Sequence, residues 1–229
     1  MSTMQQSEER IRPRSVTPQV GWGLLGGGAF FFLGGSMHPG EDPPGLSVKE
    51  HLHLLFQDPA WYPSHALLLV GMVLIAASLV ALVRGGALAS VHRAQKVGAI
   101  AAVAAVLGAL DMLLHLVVAS EASSIAAGEG TPLTDLHVVA ETLTLPAFAL
   151  SIAALGVIGA STRTIGNRLT AVLAVVGGVS YGLAGASFAF NDRLNFLFPG
   201  GGVIGLWAVA TGIGLRLRSR ATNLAAPAT

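Results

Sequence analysis

Six stretches of the chain, 20–37, 62–83, 97–119, 137–160, 169–190 and 198–215, are each long and apolar enough to form a transmembrane helix. A bilayer core about 30 Å thick needs roughly 20 mainly apolar residues per helix. Backbone entering hydrocarbon must satisfy its own hydrogen bonds, and a helix does so. Only 11% of the 229 residues are charged, whereas a soluble domain carries about 25%, so a water-facing surface could not be covered. The expected fold class is an all-α integral membrane protein: six transmembrane helices as three outward-opening hairpins, plus a short interfacial helix in the first outer loop.

Basic residues assign the sides. Arg10, Arg12 and Arg14 precede the first stretch, Arg84, Arg93 and Lys96 follow the second, Arg163 and Arg168 follow the fourth, and Arg216, Arg218 and Arg220 follow the last. The opposite side holds only Lys49 and Arg193, against Glu41, Asp42, Glu50, Asp58, Glu121, Glu129, Asp135 and Asp192. By the positive-inside rule both termini are expected in the cytoplasm, in a multi-pass protein of the plasma (inner) membrane. Cytoplasmic tails are expected over 1–19 and 217–229, flanking a six-helix domain over 20–216. The first apolar stretch is long and starts late, which does not resemble a cleaved signal peptide.

The first outer loop, 38–61, is long. Ser47 and Glu50 have capping-box spacing, and Val48, Leu52, Leu55 and Phe56 share a helical face. A helix over about 47–57, lying in the membrane interface, is expected there. Glycines crowd the first and last stretches, where small residues let helices approach closely, within the bundle or in a homo-oligomer.

Ionisable side chains are costly in hydrocarbon and by default mark a functional site. His38 follows the first stretch and His65 opens the second; Asp111 and His115 lie late in the third, and His137 and Glu141 open the fourth. In the expected topology all four histidines reach the outer membrane face. Asp111 with His115, and His137 with Glu141, are each four residues apart, so each pair projects from one helix face with the carboxylate about 6 Å deeper. Such a carboxylate either ligates a metal beside the imidazole or accepts the other ring N–H and fixes its orientation. Histidine and carboxylate without sulfur suit copper, zinc, iron or manganese. Pro146 is expected to kink the fourth helix one turn below Glu141. His51 and His53 point to opposite sides of the interfacial helix, and His92 lies in a cytoplasmic loop. Ser120, Glu121, Ser123, Thr142 and Thr144 are candidates for the outer mouth.

The Asp111-x-x-x-His115 pair is similar to a copper-binding pair in one subunit of the particulate methane and ammonia monooxygenases. The similarity covers these two residues, and the next histidine follows at a different distance.

Other chemistry is excluded by what the chain lacks. It has no cysteine, hence no disulfide, thiolate metal site or cysteine nucleophile. There is no phosphate-binding glycine loop, dinucleotide fingerprint or zinc-protease motif. No lysine lies inside a span, and the scattered arginines fit topology rather than nucleic acid. The expectation is a membrane metalloprotein, an oxidoreductase acting on a lipid-soluble substrate, with the bilayer and partner membrane subunits as its surroundings. His38, His65, Asp111, His115, His137 and Glu141 form the metal set, with Asp111 and Glu141 also able to act as proton carriers. Three alternatives stay open. A b-type haem could bind between His65 and His115 or between His115 and His137. A metal or proton-coupled transporter and an accessory membrane subunit are the others.

Overall fold

A computed structural model describes residues 18–40, 45–190 and 193–224, with side chains described as far as 221. The basic residues Arg10, Arg12 and Arg14, the acids Glu41 and Asp42, and the Asn191–Asp192 turn lie outside the described residues.

The described residues form eight α-helices: α1 (Pro18–Met37), α2 (Val48–Gln57), α3 (Trp61–Arg84), α4 (His92–Val118), α5 (Ala122–Ala127), α6 (Pro132–Ser161), α7 (Arg168–Ser187) and α8 (Gly200–Leu224). Short 3-10 turns at Ala119–Glu121 and Asn195–Leu197 join α4 to α5 and lead into α8. No strand occurs among the described residues. Six segments are long and apolar enough to cross a membrane: α1, α3, α4 continued through α5, α6, α7 and α8. Their outward faces carry large exposed apolar side chains, including Ile100, Val103, Leu110, Leu143, Val172 and Leu183. A water-soluble monomer rarely exposes so extended an apolar surface. This is a multi-pass membrane protein.

The long helices pack in chain order, α1 on α3, α3 on α4, α4 on α6, α6 on α7 and α7 on α8, and α8 closes back on α1. Glycine sets the distance at that closure. A Cβ on Gly28 would overlap the Gly205 carbonyl oxygen, and one on Gly205 would lie 2.8 Å from the Gly28 carbonyl. One end of α1 meets the opposite end of α8 in the same way, through Gly21 and Gly212. The two helices therefore run antiparallel with backbones in contact, as small residues permit. Further glycines of α1 face α3, where a Cβ on Gly34 would come within 2.7 Å of the Ser64 carbonyl.

Local sequence explains the helix boundaries. Ser47 and Glu50 form the reciprocal capping box of α2, and Asn167 with Thr170 does the same for α7. Gly128 ends α5 in the left-handed conformation, at φ 69°, where a side chain would be strained. The fourth span begins at Pro132 rather than near residue 137 as hydropathy suggests. Its first turn is polar, and Glu121 caps it by accepting from the Leu133 and Thr134 backbone N–H groups (3.1 and 2.8 Å) and from Thr134 Oγ1. His137 consequently lies more than a turn inside the helix and is buried.

Phe31, Met72, Ile75, Leu79, Phe148 and Ile152 fill the middle of the bundle. Arginines gather at one end. Arg216 stacks over Trp22, and Arg218 donates to the carbonyls of Arg163, Thr164 and Gly166, which follow the last turn of α6. All the histidines except His92 gather at the other.

Candidate metal centre

Four helix termini meet at the histidine end, where α1 stops, α3 starts, α4 is within its last two turns and α6 has just begun. Each delivers one imidazole to the same layer. The rings form a continuous row: His38 to His65 at 4.7 Å between centroids, His65 to His115 at 4.8 Å, and His115 to His137 at 4.2 Å. His65, His115, His137 and Asp111 are all buried. All six residues expected from the sequence to form the metal set are thereby assembled at one place.

Hydrogen bonds fix which nitrogen each ring presents. A carbonyl can only accept, so the ring nitrogen against it must carry the proton. His38 Nδ1–H donates to the Pro39 carbonyl at 2.6 Å, and His65 Nδ1–H donates to the Trp61 carbonyl at 2.7 Å. Nε2 of a neutral His65 ring is left with a lone pair. This back-side anchoring is how ligating histidines are commonly held.

Asp111 does not serve the histidine of its own helix. It reaches from α4 to α6, where His137 Nδ1–H donates to Asp111 Oδ1 at 3.1 Å, and Thr144 Oγ1 donates to Asp111 Oδ2 at 3.1 Å. Glu141 does approach its own-helix partner, with Oε2 3.1 Å from His137 Nε2. Both carboxylates are thus committed to His137, where four-residue spacing suggested one carboxylate for each histidine. The reason is azimuthal: spacing along one helix cannot say which side chain the neighbouring helix brings nearer.

Around His137 Nε2 the placement of protons decides the electrostatics. With its Nδ1 proton on Asp111, neutral His137 turns a lone pair toward His115 Nδ1, against which it sits, and toward Glu141 Oε2. Glu141 Oε2 is buried and accepts no hydrogen bond. Converging lone pairs and a carboxylate in a buried site repel one another unless a proton or a cation lies among them. A His115 Nδ1–H donated to His137 Nε2, a proton on His137 Nε2 directed to Glu141, or a metal ion would each relieve the repulsion.

The ligand atoms fall into two groups, each within 4.8 Å: His38, His65 and His115, and His115, His137 and Glu141. Neutral imidazole nitrogen and carboxylate oxygen suit zinc, copper or iron.

Trp61 packs directly against this cluster. It is fully buried, lies 3.6 Å from the His65 ring and 4.7 Å from the His115 ring, and is covered by Phe56 of α2. Its four-residue offset from His65 was the available signal. Leu52 and Leu55 pack with Trp61, so α2 covers the cluster. Glu121, Thr142 and Thr144, candidates for a polar mouth, are engaged within the fold: Glu121 caps α6, Thr142 Oγ1 donates to the Val138 carbonyl, and Thr144 holds Asp111. His51 stacks at 6.2 Å on Phe188, His53 pairs with Gln57, and neither is in the ring row.

No family model matches the chain, and neither does any curated protein or solved structure.

Proposed function

We propose that the protein is an integral membrane metalloprotein whose His/carboxylate centre lies at the extracytoplasmic end of a six-helix bundle. One observation carries this reading: His115 Nδ1, His137 Nε2 and the hydrogen-bond-free Glu141 Oε2 converge among buried side chains, with Asp111 fixing His137 from behind. The carboxylates and histidines of a carboxylate–histidine–metal arrangement are then supplied by the chain itself.

The protein acts as an oxidoreductase on a lipid-soluble substrate, which would reach the centre from the bilayer at the level of the helix ends. Copper or iron would supply the electron transfer; a zinc ion would limit the site to Lewis-acid chemistry. His115, His137 and Glu141 hold the ion, Asp111 orients His137, and Glu141 has the position to accept a proton. The spans form three hairpins opening outward, with α2 lying in the outer interface, and the arginine end faces the cytoplasm.

Ring spacing favours a bare ion over haem. Two axial imidazoles must lie on opposite faces of a porphyrin, but these rings contact each other at centroid distances of 4.2 and 4.8 Å. Transport is disfavoured by the apolar core, built around Ile75, Leu79 and Ile152, that fills the bundle beyond the cluster.

A second reading has a specific observation behind it. His137 lies 3.1 Å from both Asp111 and Glu141, so an imidazolium between two carboxylates would lock α4 to α6 without any metal. Purification in mild detergent without chelator, followed by elemental analysis and an absorption spectrum, separates the two. Near-stoichiometric transition metal that is lost in His115→Ala and His137→Ala supports the metalloprotein. Metal-free protein that cannot be loaded by dialysis against copper, zinc or iron overturns it in favour of the lock.

A further inference from the structure

A metal site needs an entry path, and His65, His115 and His137 are all buried. What covers them at the outer end is α2. We propose that α2 is a gate: water-borne ions reach the histidine row when it lifts, and the Lys49–Asp135 ion pair latches it shut. The identity of what passes rests on the metalloprotein reading above, whereas the movement rests on the packing of α2.

α2 reaches across the helix ends instead of following one of them. Lys49 Nζ lies 3.3 Å from Asp135 Oδ1, in the first turn of α6. His51 stacks on Phe188, just past the end of α7, and Phe56 packs on Trp61 at the start of α3. Leu52 and Leu55 close around Trp61 together with Ile125 of α5. Trp61 in turn lies against the His65 and His115 rings. Lifting α2 uncovers Trp61, and the two imidazoles stand directly behind it.

What holds α2 down is slight beside what holds the spans together. Leu52, Leu55 and Trp61 form a satellite cluster, apart from the large core that fills the bundle. A segment with few buried apolar contacts opens at a smaller cost than the fold as a whole. The Lys49 and Asp135 side chains are 48% and 66% exposed, and ion pairs so exposed hold weakly in water. A latch must release, and this one can. The spans are fixed by backbone contacts such as that of Gly34 with Ser64 carbonyl oxygen between α1 and α3, which leaves α2 as the element free to move.

The cysteine-free chain gives the test a clean background. Lys49→Cys/Asp135→Cys protein, stripped of metal in detergent, is compared before and after closure with a short bis-maleimide, with circular dichroism checking that it stays helical. The first probe is diethyl pyrocarbonate, which acylates a neutral imidazole at its lone-pair nitrogen. Mass spectrometry follows His65, where that nitrogen is Nε2, against exposed His92 at the arginine end. His65 should react several-fold faster than in the wild type before closure and several-fold slower after it, while His92 stays constant. Lys49→Met should speed His65 in the same way. The second probe is copper(II), whose loading should slow on closure by a similar factor without any change in the final copper per chain. Equal His65 rates before and after closure would overturn the gate. Copper that loads equally fast in both states would overturn α2 as the route of the ion and leave the metalloprotein reading standing. Protein that takes up no copper, zinc or iron in either state would remove the metalloprotein reading, and the His65 rates would still decide the gate.

Discussion

Asp111 on α4 and His137 on α6 meet at 3.1 Å across the helix interface, 26 residues apart in the chain. The contact fixes the tautomer of His137 and turns its Nε2 toward His115 and Glu141. Replacing such an orienting carboxylate commonly costs about 10–100-fold in metal affinity. Asp111→Asn should therefore weaken metal binding by that order, while His137→Ala, which removes the ligand itself, should abolish it at the same site. Competition against a chelator of known affinity measures both. Equal losses in the two variants would make Asp111 a ligand instead.

Trp61 reports on the centre. Its ring lies 3.6 Å from His65, whereas Trp22 stacks against Arg216 at the arginine end. Copper(II) added to the stripped protein should quench part of the tryptophan emission, and Trp61→Phe should remove most of that quenching. Undiminished quenching in Trp61→Phe would place the copper elsewhere.

Packing of α1 on α8 depends on bare backbone. Gly28→Ala forces a methyl group into the Gly205 carbonyl, and overpacking of this kind costs about 1–3 kcal/mol. Gly35 has open space where its Cβ would be. Thermal unfolding in detergent should show a lowered midpoint for Gly28→Ala and little change for Gly35→Ala. A similar midpoint for both would mean that the interface relaxes freely.

Orientation is testable without background, because the chain contains no cysteine. Gly130, in the loop before α6 at the histidine end, and Ser90, between α3 and α4 at the arginine end, are both exposed. A membrane-impermeant thiol reagent applied to intact cells should label Gly130→Cys and spare Ser90→Cys until the cells are opened. The reverse pattern would invert the topology.

The start of α2 should be acid-sensitive. Ser47 donates to the Glu50 carboxylate from its hydroxyl (2.7 Å) and backbone N–H (2.8 Å), holding the carboxyl below its ordinary value of 4.5. A depressed carboxylate stabilises the fold above its unfolded-state value, and that contribution is lost as pH falls through the folded-state value. Amide-exchange protection in α2 should therefore decline as pH drops below about 4.5, and Glu50→Gln should remove this dependence. Unchanged protection in the wild type would show that α2 is held by Leu52 and Leu55 alone.

Hydropathy alone marks six spans, because bilayer thickness sets the length of each and the ban on unpaired backbone sets its conformation. The capping box at Ser47 and Glu50 was equally legible, being a purely local pattern. So was the convergence of His38, His65, His115 and His137, since residues near the same ends of alternating helices must share a layer. The polar first turn of α6 escaped this reading because its cap, Glu121, comes from the preceding segment. What one dimension could not decide was rotation about each helix axis. Rotation brings Asp111 to His137 rather than to His115, sets Trp61 against the ring row, and divides five of the six candidate ligands into two groups that meet at His115. Those partnerships depend on how neighbouring helices face one another, and the backbone contacts of Gly28 with Gly205 and Gly34 with Ser64 help to determine that only once the bundle has closed.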